Sequence, residues 1–176
     1  MKSLIFAVFG AVTTCFYSIS YGFNDLDLNR LIEFNMCEKC DLSGANLNKA
    51  KLRKAKLKLI DLSDAYIRES DMREANLSKA DMTAADLSGA DMRGATLNMA
   101  SLNGANLTGA NLSSANLESS DMTGAKLFGA KLIGANLKSA DLTLADLTLA
   151  DLTNTKLTGA IFCKTKTPWG KDSTGC

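Results

Sequence analysis

The sequence predicts an all-β solenoid: short strand segments wound into stacked coils around one apolar axis. Three observations carry that prediction. From Cys40 to Phe162 every fifth position is small and the residue two later is large and apolar, as in Ala45-Asn-Leu47, Ala50-Lys-Leu52 and Ala55-Lys-Leu57. Of the 25 large centres, 19 are Leu and four are Met (Met72, Met82, Met92, Met122), and 20 of the 25 small positions are Ala. With 6% aromatic residues and one Pro in 176, the chain lacks the material of a turn-rich sandwich.

The period dictates the local structure. Leucine at every fifth residue would walk around a helix, which needs apolar spacings of three and four. A simple strand would alternate for its whole length. Here alternation lasts three residues, small inward, polar outward, large inward, and two corner residues follow, often Ser/Thr and Gly, as at Ser43-Gly44 and Thr108-Gly109. Each unit is therefore a very short strand plus a bend. No such unit buries its leucine alone, whereas stacked coils bury all of them in one spine.

Residues 1–22 read as a signal peptide. Lys2 is the only charge before Asp25, and the apolar run Leu4–Val12 leads into small residues. The clean stretch is well short of the roughly 20 residues a membrane span needs. Cleavage is expected after Ser20 or Gly22, and lipidation at Cys15 is the alternative. Losing Lys2 leaves 19 basic against 19 acidic residues, so the mature chain is neutral. Residues 23–39 form an N-terminal helical cap, with Asn24 as its first cap and Leu28, Leu31, Ile32 and Met36 on one face.

Residues 40–163 are the repeat itself. Ala-(Asp/Asn)-Leu-x-x in tandem resembles the pentapeptide-repeat family. That resemblance implies a right-handed quadrilateral β-helix with four units to a coil, centre and small residues pointing inward. Positions 20 apart then stack. The column 45, 65, 85, 105, 125, 145 is all Ala, and the column 53, 73, 93 is all Arg, which a 15-residue coil would scatter. The 25 units make about six coils, a shaft on the order of 30 Å long. The methionines fill gaps in its spine, and Ile60, larger than its neighbours, is expected to widen or distort one coil.

Both ends of an open β-helix expose unpaired backbone and need covers. Behind Phe162, residues 164–176 form a C-terminal cap or tail, with Trp169 expected over the last coil. Cys37 and Cys40 lie at one end, Cys163 and Cys176 at the other. A four-cysteine metal cluster cannot form across about six coils, and the same separation selects the disulfides Cys37–Cys40 and Cys163–Cys176. As a redox site Cys37-x-x-Cys40 would want a helix N-terminus, but it follows a helix.

Function is left to the outer walls. Asp41, Asp61, Asp81, Asp121 and Asp141 form one column, which hydrogen-bonds its own turns or binds cations weakly. Arg53, Arg73 and Arg93 form a basic patch on another edge. The absence of His removes the commonest general base and the usual nucleophilic dyads. The expected function is a non-catalytic exported scaffold or protein-interaction rod, periplasmic or extracellular, with no catalytic residue, metal or cofactor. Its partner would be a protein or envelope component, with no nucleic acid and no stable membrane insertion after cleavage. Monomer and end-to-end dimer both stay open. The resemblance also implies an alternative, the DNA-mimic inhibitors that protect gyrase, which neutral charge and export oppose.

Overall fold

The computed structural model describes the backbone of residues 4–9 and 12–17, and residues 23–176 in full. Near the N-terminus β1 (Leu4–Phe9) pairs antiparallel with β2 (Val12–Tyr17), Leu4 opposite Tyr17. The cleavage positions expected after Ser20 and Gly22, and the side chain of Cys15, lie outside the described residues.

Helix α1 (Asp25–Phe34) begins where its cap directs. The Asn24 side chain accepts the Leu26 N–H at 2.9 Å, and Asp25 and Asp27 place negative charge in the first turn, where the helix dipole favours it. The helix stops at Asn35, which adopts a left-handed conformation (φ 52°) and donates its N–H to Leu31 O. Leu28 and Leu31 are buried, and Ile32 packs partly against them. Met36 does not join that face. Once Asn35 has turned the chain into extended backbone, alternation sends Met36 outward and Cys37 inward, so Met36 is half-exposed and pairs with Lys56.

That pair is the first of a continuous series of parallel rungs, each joining residues 20 apart, through Asp41↔Asp61 and Asp61↔Asp81 to Asp146↔Lys166. Two hydrogen bonds define a typical rung: Leu42 N donates to Asp61 O and Asp61 N to Cys40 O, both at 2.9 Å. With a turn every five residues, a 20-residue coil has four sides. The rungs extend one unit beyond each end of the 40–162 register.

The corners explain the composition of the two residues after each centre. The second adopts positive φ in every unit, from Lys39 (58°) and Gly44 (66°) to Gly159 (73°) and Lys164 (56°). Glycine takes that conformation freely, and unbranched residues tolerate it at a cost, but β-branched ones do not. Accordingly threonine occupies the first corner place (Thr83, Thr108, Thr143, Thr148) and never the second.

Inside, the apolar core runs unbroken from Leu28 to Phe162, and the methionine centres are fully buried. Ile60 is buried too, without widening its coil: Asp81 N still reaches Ile60 O at 2.9 Å. Its column neighbours are Cys40, drawn sideways toward Cys37, and Ala80, so a larger side chain fits between them. Where serine replaces alanine, the hydroxyl donates to the carbonyl three residues back, Ser70 to Ile67 at 2.9 Å and Ser120 to Leu117 at 2.8 Å. No buried side-chain nitrogen or oxygen among the described residues lacks a partner.

At the far end, Thr165 and Thr167 take the small and centre places and are buried. They belong to β3 (Thr165–Thr167), which pairs antiparallel with β4 (Gly170–Asp172) through a turn at Pro168-Trp169. Trp169 therefore does not cover the last coil. It stands at the tip of a tight reversal and is 60% exposed. Phe162, Thr165 and Thr167 fill the interior instead, while Leu152, Leu157 and Ala160 stay only partly buried.

Candidate functional site

The inward positions being sealed, chemistry belongs to the outward residue of each strand and to the corners. The aspartate column is assembled as the 20-residue coil requires, Asp41, Asp61 and Asp81 on successive rungs, then Ser101, then Asp121 and Asp141 on the next two. Each carboxylate turns to its own corner. Asp41 and Asp61 accept the backbone N–H and the hydroxyl of Ser43 and Ser63, while Asp81, Asp121 and Asp141 accept the N–H of Thr83, Thr123 and Thr143 at 2.8–2.9 Å. None of the five takes part in an ion pair among the described residues. Asparagine at the same place does the same work, as Asn76 does for Ser78 and Asn111 for Ser113. These are Asx turns, and they explain why Asp and Asn dominate the outward position.

The arginine column is compensated. Arg53 reaches Glu74 of the next coil at 2.7 Å, Arg73 grips Asp71 with two nitrogens at 2.6 and 2.7 Å, and Arg93 grips Asp91 at 2.7 and 2.8 Å. Lys54 also meets Glu74, at 3.4 Å. The guanidinium of Arg73 holds the Asp71 carboxyl below the ordinary carboxylate range, Arg93 does so for Asp91, and Arg53 with Lys54 for Glu74. On the adjoining face Arg68 pairs with Asp86 at 2.6 Å and lies over the Tyr66 ring at 5.9 Å. Glu74, the partner that takes both Arg53 and Lys54, carried no signal in the five-residue pattern because it sits at a corner of the following coil.

The cysteines lie in disulfide position as paired in the sequence, Cys37 with Cys40 (Cα–Cα 5.3 Å) and Cys163 with Cys176 (4.7 Å). Cys37 occupies a centre position and Cys40 a small one, so both sulfurs point inward across a corner and are buried. Asp27 brings a carboxylate within 4.8 Å of both sulfurs, the arrangement of a three-ligand metal site. Yet the sulfurs are bonded to each other, and the Asp27 carboxylate is engaged by the Asp41 N–H at 3.1 Å and by Arg30 at 3.4 Å. With the bridge intact the cluster fastens α1 to the first coil. Beside it, Leu28, Leu31, Leu47 and Leu52 line an apolar cleft of about 10 Å³, room for a single water and no organic ligand. Among the described residues no helix is long and apolar enough to cross a membrane.

Comparison with known proteins agrees with this geometry. The family model for Pentapeptide repeats matches in eight copies, over residues 37–59, 60–98, 97–127 and 125–165. Among solved structures the chain is 35% identical to HetL, a pentapeptide repeat protein involved in heterocyst differentiation regulation from the cyanobacterium Nostoc sp. strain PCC 7120. That match covers 77% of this chain and 65% of HetL, with a TM-score of 0.51. The chain is 33% identical to a pentapeptide repeat protein of the Arabidopsis thaliana thylakoid lumen, over 52% of this chain and 61% of that one, TM-score 0.41. It is 30% identical to Rfr23, a pentapeptide repeat protein from the cyanobacterium Cyanothece 51142, over 77% and 92%, TM-score 0.40. The chain thus spans less than two thirds of the length of the first two. No curated protein matches it. Tandem Ala-(Asp/Asn)-Leu units, rungs 20 residues apart and a family match over most of the chain lead to one conclusion: the chain belongs to the pentapeptide-repeat family, whose fold is the right-handed quadrilateral β-helix.

Proposed function

We propose that the protein is a non-catalytic, exported interaction rod: about six coils lidded by α1, displaying its side chains to a partner. The observation behind this reading is the strict division of the repeat. Inward positions hold Ala, Leu and Met in a buried spine, the cleft beside α1 admits no organic ligand, and outward residues such as Asp61, Asn76, Arg53, Arg73 and Arg93 are committed to turns and ion pairs. Such a surface offers shape and charge for recognition.

Export is supported by the signal-like residues 1–22 and by two cysteine pairs in disulfide position, a chemistry that lasts in oxidising compartments. A DNA-mimic role would call for a strongly acidic rod, and a neutral chain with compensated arginines speaks against it. Mass spectrometry of protein recovered from the producing cells tests the reading: an N-terminus at Tyr21 or Phe23 is expected, and intact Met1 in soluble cytoplasm refutes it. Capture of a specific partner from the envelope fraction by the mature chain tests the interaction.

A further inference from the structure

Charge is distributed unevenly along the shaft. Residues 23–124 carry 12 basic and 15 acidic side chains, residues 125–176 seven basic and four acidic. The neutral mature chain is therefore a lengthwise dipole, positive at its C-terminal end.

One corner of that end is also apolar. Gly129 N donates to Thr148 O at 3.0 Å and Leu147 N to Lys166 O at 2.7 Å, so Phe128, Leu149 and the Pro168-Trp169 turn occupy the same corner in three successive coils. Their side chains are 47%, 70% and 60% exposed for Phe128, Leu149 and Trp169. Leu149 and Trp169 are the tips of tight turns, with Leu149 at φ 60°, a conformation that a leucine adopts at a cost. Exposed lysines flank the corner: on one adjoining face Lys126 and Lys166 stand either side of Asp146, which Lys166 meets at 2.9 Å, and on the other Lys131 stands beside Asp151, so the two faces together keep one lysine in excess. Lys171 faces Lys166 directly across the β3–β4 pair; because Asp146 already takes Lys166, Lys171 is the lysine there with no ion pair among the described residues and is free to meet an anionic surface.

We infer that this corner docks on an anionic lipid surface, with Trp169, Leu149 and Phe128 entering the headgroup region and the lysines meeting lipid phosphates. A tryptophan whose ring is apolar and whose N–H is polar suits that boundary, and lysines beside it add attraction that fades within a Debye length. The rigid shaft holds the three side chains in place, so docking orders nothing new. The inference gives partner chemistry to the proposed interaction rod and rests on that reading, but not on export.

Trp169 is the only tryptophan, which makes the test local. Its emission is followed in the full chain while phosphatidylglycerol-containing or pure phosphatidylcholine vesicles are added. A blue shift and protection from acrylamide are expected with the anionic vesicles only, and salt should reverse them. Lys171→Gln should weaken binding about fivefold and Leu149→Ser by about tenfold or more. Met99→Ser, removing an exposed side chain at the opposite corner, should change nothing. Unchanged Trp169 emission with anionic vesicles overturns the inference, even if a protein partner shields the residue. So does an equal response to phosphatidylcholine, or a Met99→Ser loss matching that of Leu149→Ser. Capture of an envelope partner is scored separately, so failure of the lipid docking is distinguished from failure of the interaction-rod reading.

Discussion

The carboxylate of Asp61 accepts the backbone N–H of Ser63 at 2.9 Å and its hydroxyl at 2.7 Å, closing a corner of the coil with its own side chain. The same bond recurs down the aspartate column and at the asparagines, so the outward acid of each unit is first a turn-builder. Charge repulsion between rungs is the cost, and each turn bond offsets it locally.

Asp61→Ala should therefore destabilise the shaft by about 1 kcal/mol, while Asp61→Asn keeps the acceptor and should remain close to wild type. Urea midpoints distinguish the two. Equal losses would mean that charge, rather than the turn bond, is what matters at this column.

In mid-shaft, Leu107 is fully buried. Leu107→Ala should cost about 2–5 kcal/mol, and Leu107→Asp more, because it strands a charge in the spine. Since each coil contacts only its neighbours, the damage should split the melting transition rather than merely lower it. Circular dichroism read against temperature shows this; a Leu107→Asp variant melting like wild type would contradict the inward assignment.

Gly104 sits at φ 65° with no atom within 4 Å of an added Cβ, so only backbone conformation opposes a side chain there. Gly104→Ala should cost about 1 kcal/mol, and Gly104→Val more. The converse change, Leu59→Gly at φ 60°, relieves that strain and should raise the denaturation midpoint or leave it unchanged.

Acid should weaken the C-terminal end. Thr148, through its hydroxyl, and then Lys166 hold the Asp146 carboxyl down to about 2. A depressed folded-state value means that the stabilisation is complete above the unfolded value near 4 and is lost as pH falls toward about 2. Lys166→Met together with Thr148→Ala should flatten that loss, as seen in urea midpoints collected from pH 5 to pH 2.

The Cys163–Cys176 bridge closes a 14-residue loop, since the two positions are 13 apart, and in the chain-entropy model is worth about 3 kcal/mol. Cys176→Ser should lower stability by that order. Non-reduced peptide mapping of exported protein should show two intramolecular bridges and no cross-pairing between the ends.

Much of this was legible before any coordinate. Alternation over three residues assigned Leu42 through Phe162 to the interior, and the Arg53, Arg73, Arg93 column pointed to a 20-residue coil. What escaped were features that depend on reach. Arg53 finds Glu74 only because the next coil carries a corner beside it. Met36 and Trp169 were misplaced because left-handed backbone at Asn35 and the reversal at Pro168-Trp169 each redirect a side chain within two residues.

The amino-acid sequence by itself determined which side of every strand is dry, because a period of five leaves each centre leucine one way to hide, in a stack of its own kind. Only the tertiary structure decided what the outside is: which charges cancel across coils, and which corner of the basic end keeps Phe128, Leu149 and Trp169 in water. Inward burial is settled locally by alternation, whereas cross-coil ion pairs such as Arg53–Glu74 and Arg68–Asp86 join residues 21 and 18 positions apart that meet only once the coil has closed.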